Sequence, residues 1–443
     1  MSTTTDVVPF REAVRTWFLI SLQTFGGPAG QIAVMQRHLV DERRWIGQGR
    51  FLHALNYCML LPGPEAQQLA IYVGWLLNGM RGGLAAGTLF VLPGMVALLA
   101  LSLIYALYGD STVVTALFAG LAPAVVAIVA QAVWRVGSRA LTNPALIALA
   151  VAAFLALAVF GIPFPLVIAA AAVAGWVLHR WRPRPATTAR TEDGPAPLIS
   201  DDMLHHDRPS ARRTITILTV GLVLWFLPIA VFAATTGTGS VFTRQGLFFS
   251  GTAVVTFGGA YAVLAFVAQR AVEHYAWLSA GDMVRGLALA ESTPGPLIMV
   301  VQFVAFLGAY HQPGSLEPWV AGVLASLLTT WVTFVPCFLF ILLGAPYVES
   351  LRGNSALSAA LNGITAAVVG VIASLGLFFA VHTLFGEVTD GPWAMELPVL
   401  GSVRWTSLVI AVVAGVLIFK VKWPVLRVLG VSALLGLAAG IFL

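Results

Sequence analysis

Proline and glycine interrupt four apolar segments of the chain at points where a helix would otherwise continue. The interruptions are Phe25-Gly26-Gly27, Pro62-Gly63-Pro64, Phe257-Gly258-Gly259 and Pro294-Gly295-Pro296. A proline inside an apolar run removes a backbone donor and stops a helix. In hydrocarbon such a break is tolerated only where protein or a water-filled cavity satisfies the freed backbone groups. The four breaks therefore predict a polar site inside apolar surroundings.

Each break gives the following helix an N-terminus within these surroundings. We expect helices to restart at Pro28, Pro64, Ala260 and Pro296, with the four N-termini close together. The first N–H groups of a helix have no intrahelical partner, and they carry a partial positive charge. The ligand that suits them best is an oxyanion with several acceptor atoms. The alternative interpretation is that the glycines allow close helix packing and that the prolines make kinks.

Polar side chains beside the breaks differ between the first pair of motifs and the second. Amides and a carboxylate follow the breaks of the first pair, whereas the second pair is polar mainly before its second break. We therefore expect an asymmetric site, to which the first pair contributes most of the side-chain recognition. The predicted substrate-binding residues are Phe25, Gly26, Gly27, Pro28, Gln31, Pro62, Gly63, Pro64, Glu65, Gln67, Gln68, Phe257, Gly258, Gly259, Glu291, Ser292, Thr293, Pro294, Gly295 and Pro296.

The composition indicates that the apolar surroundings are a lipid bilayer. Of the 443 residues 59% are hydrophobic and 10% are charged, whereas a soluble domain has about a quarter charged residues. Apolar runs long enough to span a membrane recur along the chain. The net charge of +5 comes from arginines at the ends of these runs, which excludes soluble enzymes and nucleic-acid binders. The predicted fold class is an all-α polytopic membrane protein.

Two carboxylates, Glu65 and Glu291, lie beside the breaks and are candidates for proton coupling. An ionisable residue inside a membrane is costly, and it indicates a function. Glu65 could instead complement the positive end of its helix, and Glu291 could pair with Arg285. We predict no metal site, because Cys58 and Cys337 each lie inside an apolar run and would have to meet by chance. We also predict no catalytic residue and no cofactor.

The four motifs belong to two copies of one unit. The offset is 232 residues from Phe25-Gly26-Gly27 to Phe257-Gly258-Gly259 and between the two Pro-Gly-Pro motifs, and it becomes 243 from Pro93 to Pro336. A constant offset indicates an internal duplication. The extra crossing between the copies would invert the second repeat. We predict a first repeat over 1–179, a cytoplasmic linker over 180–213, an extra transmembrane helix over 214–235 and a second repeat over 241–443.

The distribution of arginines indicates which loops face the cytoplasm, where basic residues accumulate. The loop Arg37–Arg50 is basic, whereas its counterpart Arg270–Arg285 is balanced by acidic residues. If the N-terminus and the first loop are cytoplasmic, the broken segments dip into the membrane near its midplane and return. Half-helices of about 11 residues reach about 16 Å, roughly half of an apolar core about 30 Å thick. The alternative is that all four broken segments cross the membrane fully.

Longer stretches of sequence surround these motifs. They are FGGPAGQIAVMQ at Phe25–Gln36, ERRW at Glu42–Trp45, LLPGPEAQQLAIYVG at Leu60–Gly74 and GGLAAGTLFVLPG at Gly82–Gly94, with weaker counterparts in the second half. At these residues the sequence resembles the chromate ion transporter family in its long, two-domain form. The resemblance implies a plasma-membrane exporter of chromate that confers chromate resistance, with sulfate as the related oxyanion.

The residues alone predict an oxyanion transporter, and only the resemblance adds chromate. We predict a multi-pass protein of the plasma (inner) membrane with a cytoplasmic N-terminus, which acts as a secondary transporter and not as an enzyme. The alternatives are a sulfate or oxyanion importer or channel, and a membrane-embedded enzyme acting on a lipid phosphate. The expected partners are the oxyanion and the bilayer, with no nucleic acid, and a homodimer is left open.

Overall fold

The protein is an all-α membrane protein in the computed structural model. The structure describes residues 7–25, 27–109, 111–181, 198–199, 203–205, 210–257, 259–347, 355–393 and 395–442. Within these ranges five helices are long and apolar enough to cross a membrane. These five segments are Glu65–Tyr108, Thr112–Ala140, Ala211–Thr236, Pro318–Gly344 and Ser358–Leu384.

The described helices, numbered along the chain, fall into two similar series that the helix α8 separates. The first series is α1 (Phe10–Ser21), α2 (Gly27–Gln36), α3 (Gln48–Cys58), α4 (Glu65–Tyr108), α5 (Thr112–Ala140), α6 (Pro144–Ala158) and α7 (Phe164–Trp181). Helix α8 is Ala211–Thr236. The second series is α9 (Val241–Val255), α10 (Ala260–Gln269), α11 (Ala280–Ser292), α12 (Val300–His311), α13 (Pro318–Gly344), α14 (Ser355–Leu384), α15 (Trp405–Phe419) and α16 (Val425–Phe442). A short hairpin of β1 (Val388–Asp390) and β2 (Glu396–Pro398) precedes α15.

The predicted helix breaks are confirmed at all four motifs. Gly27, Gly63, Gly259 and Gly295 have φ values of +74°, +125°, +101° and +104°, which are conformations that side chains with a Cβ rarely adopt. Seven of the eight flanking helices have only 10 to 15 residues. The eighth, α4, is interrupted at Asn78 and Gly79. Lengths of this order reach about half of the bilayer core.

The two series repeat unusual backbone features at the same offset of 232 residues. Arg44 and Ala276 both have positive φ, 53° and 49°. Each follows a short π-helical turn, Arg37–Glu42 in the first series and Arg270–His274 in the second. Positive φ at residues other than glycine is uncommon, so its recurrence at matching positions indicates that both copies fold in the same way.

The described chain divides into two compact units, and each unit draws segments from both halves. Unit 1 consists of Met1–Leu99, Pro185–Gly259 and Thr293–Asn354. Unit 2 consists of Ala100–Arg184, Ala260–Ser292 and Ser355–Leu443.

Within unit 2, long helices of one half pack against helices of the other half through glycine contacts. Gly120 of α5 packs directly against Gly436 of α16, and Gly363 of α14 packs against Gly175 of α7. Small residues of this kind let membrane helices approach closely. Because α14 is the counterpart of α5 and α16 is the counterpart of α7, the two contacts are reciprocal. A two-fold relation between two similar chains produces such reciprocity.

Candidate functional site

Two of the breaks in unit 1 are joined to the opposite half by backbone hydrogen bonds. The N–H of Gly63 donates to the carbonyl of Thr256 at 2.7 Å, and the N–H of Gly295 donates to the carbonyl of Thr24 at 3.0 Å. Thr24 and Thr256 are counterparts in the two halves, as are Gly63 and Gly295. The bonds are therefore reciprocal, and we name their surroundings the Gly63 crossing and the Gly295 crossing.

A long helix of the opposite half passes beside each crossing. A Cβ atom on Gly63 would lie 2.9 Å from the Sγ of Cys337 in α13. At the other crossing, the Cα of Gly94 in α4 would lie 3.3 Å from a Cβ atom on Gly295. Gly94 and Cys337 are counterparts at the offset of 243 residues. The same backbone arrangement thus carries a thiol at the Gly63 crossing and no side chain at the Gly295 crossing.

The Gly295 crossing is satisfied by groups of the chain itself. The amide Nε2 of Gln31 donates to the carbonyl of Gly295 at 2.6 Å, and the hydroxyl of Thr24 accepts from the Gly295 N–H at 3.2 Å. A Cβ atom on Gly94 would collide with the carbonyl oxygen of Pro294. The polar groups named here therefore satisfy one another at the Gly295 crossing.

The Gly63 crossing instead contains buried polar atoms without partners among the described residues. Gln68 uses its Nε2 to donate to the carbonyl of Pro62 at 2.7 Å, which leaves its Oε1 unpaired. Both amide atoms of Gln67 are unpaired, although the residue is 0% exposed. The hydroxyls of Thr329 and Thr333 are likewise buried and unpaired. Buried unsatisfied groups are uncommon in native proteins and indicate a bound ion or water.

The lack of a partner for Gln67 has a local cause. The carbonyl of Pro64 accepts the first intrahelical bond of α4, from the N–H of Gln68 at 3.1 Å, so Pro64 is the N-cap residue. A glutamine three residues after the N-cap usually reaches back to the N–H of that residue. Proline has no N–H, so the usual capping bond cannot form. The side-chain amide of Gln67 is therefore available to form hydrogen bonds with a group outside the helix.

Thr329 and Thr333, which sequence analysis did not identify, lie on α13 before Cys337, the residue beside Gly63. They precede Cys337 by two turns and one turn, which places them on the same side of α13 as Cys337. Their counterparts in the first half, Ala86 and Phe90, carry no polar group. The signal available in the sequence was a pair of hydroxyls at a spacing of four residues, next to a second such pair, Ser326 and Thr330, in an apolar helix.

Glu65 is the first residue of α4 and is partly exposed. A carboxylate in the first turn is stabilised by the positive end of the helix. This position also puts the carboxylate beside the polar atoms of the Gly63 crossing along the chain. The geometry thus accommodates both roles that the sequence allowed for Glu65.

Glu291 lies in unit 2 and is 2% exposed. It accepts a hydrogen bond from the phenol hydroxyl of Tyr261, and the positive charge of Arg135 acts on both groups. Arg285 contacts Asp282 at 3.5 Å and the hydroxyl of Tyr105 at 2.7 Å. The partner of Glu291 is therefore Tyr261, and the alternative pairing with Arg285 does not occur.

The predicted site residues divide between the two units. Glu291 and Ser292 belong to unit 2, and the hydroxyl of Ser292 donates to the carbonyl of Leu289 at 2.8 Å. Gly26 and Gly258 lie outside the described residues. Helices restart at Gly27, Glu65 and Ala260, and after Pro296 a 3₁₀ turn begins at Leu297. The predicted residues in unit 1 are Phe25, Gly27, Pro28, Gln31, Pro62, Gly63, Pro64, Glu65, Gln67, Gln68, Phe257, Gly259, Thr293, Pro294, Gly295 and Pro296.

A cavity of about 120 Å³ lies in unit 2, and none of the predicted site residues lines it. Glu273 and Glu396 are at its wall, and His382 contacts Glu396 at 3.4 Å. Burial, and to a smaller extent repulsion by Glu396, raises the pKa of Glu273, which lies in the loop between α10 and α11. Within the described ranges no group of three or more His, Cys, Asp or Glu residues could hold a metal ion.

Comparison with known proteins gives relatives over most of the chain. The chromate transport protein of Pseudomonas aeruginosa is 31% identical over 380 residues, which cover 83% of this chain and 82% of the relative. The chromate transport protein of Cupriavidus metallidurans is 27% identical over 424 residues, or 96% of each chain. A probable chromate transport protein of Synechococcus elongatus is 27% identical over 353 residues, or 79% of each chain.

No solved structure gives a significant match to this chain. The family described as chromate transporter matches twice, over residues 11–176 and 243–437. These two matched regions contain all four breaks and both crossings. The chain therefore belongs to the chromate transporter family.

Proposed function

We propose that this protein is a secondary transporter that exports chromate across the plasma membrane and thereby confers chromate resistance. The observation that carries the proposal is a set of buried atoms without partners within the described chain: both amide atoms of Gln67 and the Oε1 of Gln68 at the Gly63 crossing, and the hydroxyls of Thr329 and Thr333 on α13. The Nε2 of Gln67 and the two hydroxyls are neutral and can donate hydrogen bonds to a tetrahedral oxyanion. The names of the curated relatives supply the ion.

The predicted residues have different parts in this site. The N-terminal N–H groups of α4, which begins at Glu65, add partial positive charge to the Gly63 crossing. The N–H groups of Gly63 and Gly295 already donate to threonine carbonyls, so they position the breaks and do not bind the ion. Gln31 holds the Gly295 crossing together. Side chains of the first half and of α13 thus provide the recognition.

The two halves form an inverted repeat in this proposal, with breaks near the membrane midplane. Support comes from the reciprocal contacts in each unit and from the basic loop Arg37–Arg50, whose counterpart is balanced in charge. Transporters with inverted repeats bind substrate at broken helices near the midplane. The N-terminus, the loop Arg37–Arg50 and the linker then face the cytoplasm.

The membrane potential favours export. Moving one charge through about 100 mV is worth about 2.3 kcal/mol, so a dianion that leaves an inside-negative cell gains about 4.6 kcal/mol. Export therefore needs no coupled ion. If a proton is exchanged, the candidates are Glu65 and Glu291, and Glu291 has the partner Tyr261 with which to share it.

Chromate flux into inside-out membrane vesicles tests the proposal, with sulfate as the competitor. We expect accumulation in the vesicles, and less chromate in cells that carry the protein than in cells without it. Equal cellular accumulation at confirmed membrane expression would refute export. Uptake by whole cells would assign the protein as an importer or channel.

Accessible cysteines test the proposed orientation. Single cysteines at Gly47, Ala196 and Ala276 can be probed with a membrane-impermeant thiol reagent, because the native Cys58 and Cys337 are buried. We expect only the cysteine at position 276 to react in intact cells. Reaction at position 47 from outside would mean that the broken segments cross the membrane fully.

A further inference from the structure

The hairpin of β1 and β2 forms part of the wall of the cavity in unit 2. Met395 and Glu396, where β2 begins, line this cavity. The rest of the wall comes from the end of α6, from α10 and the turn that follows it, and from α14. Helix α10 is one of the short helices that follow a break. The hairpin therefore covers a space beside one of the broken segments.

The base of the hairpin is fixed to the end of α14 by backbone hydrogen bonds. The N–H of Arg404 donates to the carbonyl of Leu384, the last residue of α14, at 2.8 Å. The N–H of Gly386 donates to the carbonyl of Ser402, also at 2.8 Å. The hairpin can therefore turn about this base if the contacts of its far end are released.

Side chains hold the far end of the hairpin. The ring of Trp393 stacks on the ring of Phe160, with centroids 4.5 Å apart. The Oε2 of Glu396 lies 3.4 Å from the Nε2 of His382, which is in the last turn of α14. Of these two contacts, the one between Glu396 and His382 joins titratable groups.

The contact between Glu396 and His382 requires a proton. The Nδ1 of His382 lies 2.9 Å from the carbonyl oxygen of Phe378, which can only accept, so Nδ1 carries a hydrogen. In a neutral imidazole the Nε2 is then an acceptor, and it would face a carboxylate oxygen that also only accepts. A proton on either group makes the contact attractive. The hairpin is thus held at this point only while one proton lies between the two side chains.

We propose that the hairpin is a proton-dependent lid over the cavity of unit 2. The lid is closed while His382 and Glu396 share a proton, and it opens when rising pH removes this proton to the solvent. Histidine is the side chain whose charge ordinarily changes between about pH 5 and 8. The proposal goes beyond the proposed function, because none of the predicted site residues lines this cavity.

The second carboxylate at the cavity wall acts in the same direction. Burial, and to a smaller extent repulsion by Glu396, raises the pKa of Glu273. A raised pKa in the closed state means that this state holds the proton of Glu273 more tightly than an open state does. Rising pH therefore favours opening at this position also, since the new charge repels Glu396. The other charged groups near the contact are Arg270 beside Glu273, Asp390 opposite Glu396 in the hairpin, and Arg404 at the carbonyl of His382.

The reaction of a cavity cysteine with a small thiol reagent tests the lid, measured on the purified full-length protein in detergent. Ser374→Cys puts a thiol in the cavity wall, and Gly401→Cys puts one on the exposed surface, where a Cβ atom has no neighbour within 4 Å. The ratio of the two rates removes the ordinary pH dependence of thiol reactivity. The native Cys58 and Cys337 are buried, and the protein without an added cysteine gives the background.

We expect the ratio of the cavity rate to the surface rate to rise about tenfold between about pH 5.5 and 8, below the ordinary pKa of a thiol. A ratio that stays constant or falls over this range would overturn the proposal.

Two substitutions in the Ser374→Cys protein should have opposite effects. His382→Phe removes the partner of Glu396, so the ratio should be high at every pH. In Glu396→Gln the amide can donate to the neutral imidazole without an added proton, so the ratio should stay low. His311→Phe is the control, because it replaces an exposed histidine at the end of α12 in unit 1 and should keep the rise. An unchanged rise in both His382→Phe and Glu396→Gln would contradict the role of their contact.

The measurement needs no substrate, so its result is independent of the proposed function. A constant ratio refutes the lid and leaves chromate export standing, whereas absence of chromate flux refutes export and leaves the lid standing. If His382→Phe does not fold, the pH series of Ser374→Cys and the low ratio expected of Glu396→Gln still decide the proposal.

Discussion

At the Gly295 crossing, the chain satisfies its own break with Gln31 and Thr24, and Gly94 leaves no room beside it. At the Gly63 crossing, the matching backbone bond lies beside Gln67 and Gln68, whose amides have atoms without a partner in the described part of the chain. Duplication has thus kept the backbone of two breaks and changed their side chains. The backbone of the two crossings is therefore symmetric, but only the Gly63 crossing offers unpaired polar atoms to a substrate.

The comparison predicts that closing the polar crossing has the largest effect. In Gly63→Leu the new side chain meets the Nε2 of Gln68 at 2.8 Å and the Sγ of Cys337 at 2.9 Å, and φ is +125°. Strain and overpacking of this kind cost about 1–3 kcal/mol each. We expect loss of chromate transport in vesicles by about a hundredfold or more.

Two variants control for this result. Gly251→Leu adds the same side chain at a position with no atom within 4 Å, so transport should be retained. Arg43→Ala removes a surface contact with Glu12 at 2.9 Å and should also cost little. If Gly63→Leu transported normally and Arg43→Ala did not, the site would lie at the mouth of the protein and not at the crossing.

The next largest effect is a difference in stability between variants of the counterparts Gly94 and Cys337. Gly94→Ala would push a methyl group into the carbonyl of Pro294, whereas Cys337→Ala only removes a sulfur atom beside Gly63. We expect Gly94→Ala to lower the free energy of unfolding by about 1–3 kcal/mol. Most of the folded protein should be lost as a result. Cys337→Ala should stay folded. Fluorescence-detected size-exclusion after heating measures both, and equal thermal stability would contradict the closed packing of the Gly295 crossing.

A smaller effect distinguishes unpaired hydroxyls from paired ones on the same helix. Thr333→Val removes a hydroxyl without a partner among the described residues, whereas Thr330→Val removes one that donates to the carbonyl of Ser326 at 2.8 Å. The first should raise the KM for chromate about tenfold and leave stability nearly unchanged. The second should lower stability by about 1 kcal/mol and leave KM unchanged. The reverse pattern would remove Thr333 from the site.

Sequence analysis could predict the breaks and the duplication because glycine and proline act locally. A positive φ at Gly63 or Gly295 follows from the residue type and its neighbours. The asymmetry toward Gln67 and Gln68 was also predictable from the two aligned halves. The extra helix, predicted over 214–235, is part of α8, Ala211–Thr236.

The remaining features depend on packing between distant segments. The reciprocal bonds of Gly63 and Gly295 join residues of different halves, and nothing in either motif specifies its partner. A threonine in an apolar helix usually bonds the carbonyl one turn before it, so Thr333 gave no signal by itself. The pairing of Glu291 with Tyr261 joins two different helices, α11 and α10, and was missed for the same reason.

The smallest expected effect concerns the two carboxylates, which also differ in their surroundings. Glu65 is partly exposed at the start of α4, whereas Glu291 is buried and accepts a hydrogen bond from Tyr261. Glu65→Gln keeps the shape of the side chain and loses only its interaction with the helix dipole, a few tenths to about 1 kcal/mol. Glu291→Gln removes a buried carboxyl group that accepts a hydrogen bond from the phenol of Tyr261.

Chromate export driven by an imposed pH gradient at zero membrane potential separates these two carboxylates. We expect this export to fall several-fold in Glu291→Gln and in Tyr261→Phe, and to change little in Glu65→Gln. Export driven by the membrane potential should continue in all three variants, which controls for misfolding. If Glu65→Gln alone abolished the gradient-driven component, the proton would be carried at the Gly63 crossing, and the Tyr261–Glu291 pair would be a structural contact of unit 2.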